Sequence, residues 1–136
     1  MRKRYKEMVN TRRLYKLEEQ LYYDDKFKGI TKQSSLLSLK RLAKKIWNQE
    51  KCKSVIPNIQ FGKGTLHVGQ RYSWCDGTTI ELAPKQRDKL TLIHELVHAM
   101  GYPYHDKNFV KVQKKLLRKY TTLDRKVITT KFKVET

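Results

Sequence analysis

"TTIELAPKQRDKLTLIHELVHAMGYPYHDKNF", residues 78–109, changes its period part-way along. From Thr78 to Ala83 apolar and polar side chains alternate, the pattern of a half-buried strand. Beyond Pro84 the apolar residues Leu90, Leu92, Ile93, Leu96, Val97, Ala99 and Met100 fall nearly all round a 3.6-residue repeat, which predicts a buried helix over 85–100 opened by the proline. Gly101 supplies a left-handed stop and Pro103 blocks continuation. Asp106 or Asn108 can cap a last helix with Phe109, Val112, Leu116 and Tyr120 on its apolar face. A strand, a buried helix, a tight turn and a second helix in this order point to an α+β domain.

Working outward, "VIPNIQF" (55–61), "TLHVGQRYSW" (65–74) and "TTIELA" (78–83) read as strands. Asp76-Gly77 is a two-residue hairpin signal between the last two, so a three-stranded, mainly antiparallel sheet is expected. Before it, residues 31–50 carry a stripe of Leu36, Leu39, Leu42, Ala43, Ile46 and Trp47, with Ser34 or Ser35 as N-cap and Lys40, Arg41, Lys44 and Lys45 on the opposite face. Residues 3–28 read as a charged helix with Leu14, Leu17 and Leu21 in register, ended by Gly29. Residues 121–136 show only weak strand character.

A chain of 136 residues holds one core. Its net charge of +18 is unevenly spread. Lys+Arg against Asp+Glu is 16 to 6 over residues 1–53, 5 to 5 over 54–106 and 10 to 2 over 107–136, so a neutral middle lies between two basic flanks. The expected organisation is a basic helical extension (1–31), a central domain (32–120) and a basic tail (121–136). Such a field favours polyanions, and the basic faces of the second and last helices (Lys40, Arg41, Lys44, Lys45; Lys111, Lys114, Lys115, Arg118) are candidates for contacting nucleic acid. Tyr5, Tyr15, Tyr22, Tyr23 and Trp47, interleaved with the N-terminal charges, offer stacking surfaces. Cys52 and Cys75 form no CxxC pair and are expected as free thiols. No apolar run of membrane-spanning length and no secretory leader is present, so an intracellular, membrane-free protein is expected.

His94 and His98 stand one turn apart on one face of the predicted helix, a spacing that lets two imidazoles reach one zinc ion. Glu95, one step round, can take a proton from a water acidified by that ion, which is the chemistry of the H-E-x-x-H motif. Catalytic zinc usually has three protein ligands. His105 is the expected third, carried back by the Tyr102-Pro103-Tyr104 turn. Asp106 is an alternative ligand, better suited to a supporting acceptor or helix cap, and Asp124 and Glu135 are remoter options. Tyr72, Tyr102 and Tyr104 are candidates for stabilising a developing oxyanion. His67 reads as a strand residue. An edge strand, 65–72 or 78–83, could hold a substrate by strand addition.

These residues resemble the SprT-like and Wss (WLM)-type zinc metalloproteases, the family of Spartan-like protease domains. The resemblance rests on "IELAP" (80–84), "LIHELVHAM" (92–100) and "HDKNF" (105–109), and covers roughly residues 32–120. It implies a zincin-like fold, ligands at His94, His98 and His105, a general base at Glu95, one Zn²⁺ per chain, and hydrolysis of DNA-bound or DNA-crosslinked proteins. Asp106 replaces a glycine common in SprT-type members, and the cysteines of a C-terminal zinc ribbon are missing. Two other groups share the histidines. The metzincin pattern fails because His105 comes one residue late and no methionine follows Met100. YbeY-type endoribonucleases have a similar "HAMGYPYHD" segment but carry glycine where this chain has Glu95. A third possibility is a nucleic-acid-binding protein whose metal site is structural or inactive.

Overall fold

Ile80 and Leu82 explain why residues 79–82 form the middle of the sheet: both are fully buried, while the side chains between them face away from the core. The computed structural model describes residues 2–62 and 73–121. Strand β3 (Thr79–Leu82) pairs in parallel with β1 (Asn58–Phe61) and antiparallel with β2 (Trp74–Cys75), giving the order β1-β3-β2. The sheet is therefore mixed, not mainly antiparallel, and β3, paired on both sides, is not the edge strand that 78–83 was expected to offer a substrate. Alternation fixes which face of a strand is buried but not which neighbour it pairs with, and β3 takes the place between the two earlier strands. Most of the strand expected over 65–74, with His67 and Tyr72, lies outside the described residues.

The β2–β3 hairpin turns one position later than the Asp76-Gly77 signal suggests. Asp76 N–H donates to Thr79 O, leaving Gly77 and Thr78 as the loop. Gly77 has φ +96°, where a side chain would be strained. Asp76 Oδ1 accepts from the Thr78 and Thr79 amides, so the aspartate braces the turn instead of occupying it.

The five α-helices among the described residues are α1 (Arg2–Leu21), α2 (Lys28–Thr31), α3 (Leu36–Gln49), α4 (Lys89–Ala99) and α5 (Lys107–Tyr120). None is long and apolar enough to cross a membrane. Ser35 caps α3 through the Ser38 amide. Leu39, Ala43, Ile46 and Trp47 are buried, while Lys40, Arg41, Lys44 and Lys45 are exposed as expected.

Helix α4 begins at Lys89, four residues after the position Pro84 implied. Asp88 caps it by accepting from the Thr91 amide. Residues 85–87 are held elsewhere: Gln86 Oε1 accepts from Ser73, and Arg87 O accepts from the Ser34 amide. Packed against α2, α3, α5, β2 and β3, α4 is the centre of the core. Gly101, at φ +108°, ends it as expected, and Asp106 caps α5 through the Phe109 amide.

The single N-terminal helix expected over 3–28 is broken. α1 ends at Leu21, a 3₁₀ turn follows at Asp25–Phe27, and Gly29 sits inside the short α2 instead of stopping a long helix. Asp24 causes the break, its side chain capping the 3₁₀ turn at Lys26 N while Phe27 and Ile30 turn into the core. Leu14 and Leu21 are the buried apolar side chains of α1, each worth about 1.5–3 kcal/mol. A highly charged helix of this kind is marginal alone, so its polar contacts contribute substantially to its seating. Just past its end, Tyr22 Oη donates to Asp88 Oδ2 at 2.6 Å.

Glu50, after α3, ties that helix to α5. It takes Lys115 Nζ at 3.0 Å, and Lys119 Nζ and Tyr120 Oη each at 2.7 Å. Burial pushes its carboxyl up, but the hydrogen bonds from Lys119, Tyr120 and Lys115 outweigh this and hold it at about 2. A carboxyl depressed on folding stabilises the fold above its ordinary value of 4.5 and loses that contribution as pH falls toward about 2. The lysines are half-exposed, so screening limits the effect to about 1–2 kcal/mol. Denaturant titration at pH 6 and pH 3 should therefore show a larger acid loss in the wild type than in Glu50→Gln; equal losses would exclude this cluster as the source.

Candidate metal centre

Helix α4 places His94 and His98 one turn apart, and the turn at Gly101 returns His105 to the same face just before α5. The three side chains converge through their Nε2 atoms. His105 Nε2 lies 3.2 Å from His94 Nε2 and 3.1 Å from His98 Nε2. One ligand atom from each residue falls within 4.8 Å of the other two, close enough to hold a metal ion. His94 and His105 are buried and His98 is partly buried.

The opposite ring nitrogens are all occupied. His94 Nδ1 faces Glu18 Oε2 at 2.7 Å, His105 Nδ1 faces Glu7 Oε1 at 2.9 Å, and His98 Nδ1 faces the Tyr102 carbonyl at 2.8 Å. With every Nδ1 against an acceptor, a neutral ring keeps its proton there and turns its lone pair inward on Nε2. Three lone pairs turned inward in this way make a donor set that can hold a metal ion. A tetrahedral ion with bonds of about 2.0–2.1 Å keeps its ligands about 3.3 Å apart, close to the two separations that His105 Nε2 makes. The donor set thus fits a metal of the kind imidazole prefers.

Charge and burial act on these groups in opposite directions. Burial lowers His94, but Glu18 more than compensates and the net shift is upward. Burial, then His94, pull His98 down to about 4, and the same two causes lower His105. Burial pushes Glu95 up to about 7, with His94 opposing and Glu18 adding to the rise.

Glu95 is buried beside the triad, and its Oε2 has no hydrogen-bond partner. It borders two hollows. One, of about 590 Å³, is lined by Glu18, Tyr22, Gln86 and Thr91 along with His94 and Glu95. The other, of about 510 Å³, reaches His98 and His105 past Trp74 and Cys75. Tyr15 borders both, its ring 5.5 Å from that of His94 and 5.3 Å from that of His105. Beneath, the buried Phe109 ring touches all three imidazoles at 4.7–5.1 Å.

Among the other residues singled out in the sequence, Asp106 is a helix cap. Tyr102 serves through its backbone carbonyl, Tyr104 is 60% exposed, and Tyr72 lies outside the described residues, as do Asp124 and Glu135. Lys111 and Arg118 are exposed, Lys114 is partly buried and Lys115 is engaged by Glu50. Cys52 and Cys75 are free thiols.

Glu7, Thr11, Glu18 and Gln113 were not expected at the site. Glu7 and Glu18 lie eleven residues apart, about three turns, and so share a face of α1. That shared register is the one trace they leave in the sequence, and it does not by itself distinguish them from surface charges such as Glu19. Gln113 donates from α5 to Glu18 Oε2 at 2.7 Å. Lying four residues after Phe109 and three before Leu116, it is a polar interruption of an apolar face.

Comparison with family models, curated proteins and solved structures returned no match for this chain.

Proposed function

We propose that the protein is a zinc-dependent metallopeptidase, a zincin-like enzyme of SprT-like arrangement acting on nucleic-acid-bound proteins. The observation that carries the reading is the convergence of three imidazole Nε2 atoms beside a buried carboxylate with an unpartnered oxygen. His94, His98 and His105 would hold the ion. Bound zinc supplies a Lewis acid that acidifies water and polarises a carbonyl. Glu95 would supply the proton acceptor: it lies beside the three imidazoles with its Oε2 uncommitted. The proton it takes is then available for the departing amine. The hollows on either side of Glu95 give an extended chain room to lie across the site.

The exposed cationic face of α3 (Lys40, Arg41, Lys44, Lys45) supports the nucleic-acid part of the proposal, together with Lys111 and Arg118 on α5. If four or five of these neutralise phosphates, affinity for duplex DNA falls roughly 100- to 1,000-fold between 50 and 200 mM salt. Fluorescence anisotropy across that range measures it, and a flat response removes the polyanion interaction.

The deciding experiment incubates zinc-loaded protein and Glu95→Gln with a DNA-binding protein, with and without DNA, and in parallel with RNA. Cleavage of the protein substrate by the wild type alone is expected. Cleavage of RNA instead would establish an endoribonuclease, and cleavage of neither would leave a binding protein with a structural metal site.

A further inference from the structure

We propose that helix α1 is a working part of the metal centre: Glu7 and Glu18 are positioning residues, and metal binding and the seating of α1 form one linked equilibrium. The inference rests on the three histidines holding a metal ion. Its basis is the geometry of two carboxylates from the start of the chain. Glu18 Oε2 accepts from His94 Nδ1 and Gln113 Nε2, both at 2.7 Å, so one oxygen joins α1, α4 and α5. Glu7 grips His105 at two points, Oε1 taking Nδ1 at 2.9 Å and Oε2 taking the backbone N–H at 2.9 Å. Thr11, one turn on, lies 2.8 Å from the same Nδ1 and donates to Glu7 Oε1.

The consequence for metal binding follows from the direction of these bonds. A carboxylate that accepts the Nδ1 proton fixes the tautomer, orients the ring and raises the basicity of the nitrogen facing the metal. Two of the three ligands depend on α1 in this way, whereas His98 depends on its own helix and turn. The linkage runs both ways: whatever stabilises the imidazoles in their ligating form stabilises the helix bonded to them. Since Leu14 and Leu21 are the buried apolar side chains of α1, its seating is sensitive to the polar end of the contact. Tyr15 rides on the same helix between Glu7 and Glu18 and covers the rings of His94 and His105, so seating α1 also sets one wall of the site.

The test uses the full chain and zinc alone. Zinc affinity is measured by competition with a chromophoric chelator for the wild type, Glu7→Gln, Glu18→Gln and the corresponding alanine variants. Tryptic cleavage after the exposed Arg12 and Lys16 of α1 is followed with zinc and with excess chelator. Affinity should fall about 10-fold in the glutamine variants, which keep an acceptor oxygen, and toward 100-fold in the alanine variants. In the wild type, zinc should slow cleavage within α1, and that protection should shrink in the variants. The zinc dependence of wild-type cleavage needs no substitution, so it stands even where a variant fails to fold. Unchanged affinities together with zinc-independent cleavage would overturn the role of α1 and leave the metal centre intact. A wild type that binds no zinc would overturn the metal centre, and this inference with it.

Discussion

Glu95→Gln is expected to lower peptide hydrolysis by about 10²- to 10⁴-fold while the protein retains about one zinc per chain. Glutamine has the shape of glutamate but cannot take up a proton near neutral pH. The substitution should also be tolerated structurally. Glu95 Oε2 has no hydrogen-bond partner to lose, and a neutral amide costs less to bury than a carboxylate. Activity and bound metal, measured on the same preparation, separate the possible roles. An unchanged rate would show that Glu95 is not the base. Loss of rate together with zinc would make it a ligand, in conflict with the arrangement of the three histidines.

Zinc itself should have the second large effect, on stability. A ligand that binds the folded chain alone, present at about a thousand times its dissociation constant, stabilises it by about 4 kcal/mol. For a domain of this size that corresponds to a rise in Tm of roughly 10–20 °C. Differential scanning fluorimetry with zinc, and with chelator, measures it. Magnesium, which prefers oxygen ligands, should give no comparable shift. His98→Ala should abolish the response while leaving a folded chain, because His98 is the least buried of the three and its ring is held by a backbone carbonyl. A wild-type Tm indifferent to zinc would sink the metal reading, and persistence of the shift in His98→Ala would remove that histidine from the ligand set.

Local features of the fold were legible because they depend on neighbouring residues. The caps at Ser35 and Asp106, the stop at Gly101 and the buried face of α3 each follow from a few adjacent side chains, and each is present. The spacing of His94, His98 and His105 likewise placed them on one face. Features that depend on distant partners were harder to read. The pairing of β1 with β3 is a choice among edges that alternation does not encode. The start of α4 was misjudged because Pro84 is a generic signal, whereas Asp88 is fixed by Tyr22, 66 positions away. The residues behind the imidazoles were missed for the same reason: a glutamate in a basic helix reads as a surface charge until its partner is known.

That separation bears on how the centre comes into being. Glu7 and His105 are 98 positions apart, so at about 5–20 residues per second the histidine leaves the ribosome roughly 5–20 s after its acceptor. The imidazoles from which Glu7 and Glu18 accept are thus made 98 and 76 positions after them. A chain halted just short of residue 105 already contains His94, Glu95 and His98 yet lacks the third imidazole. The proposed centre becomes complete only when residue 105 is added and returns to an acceptor made 98 positions before it.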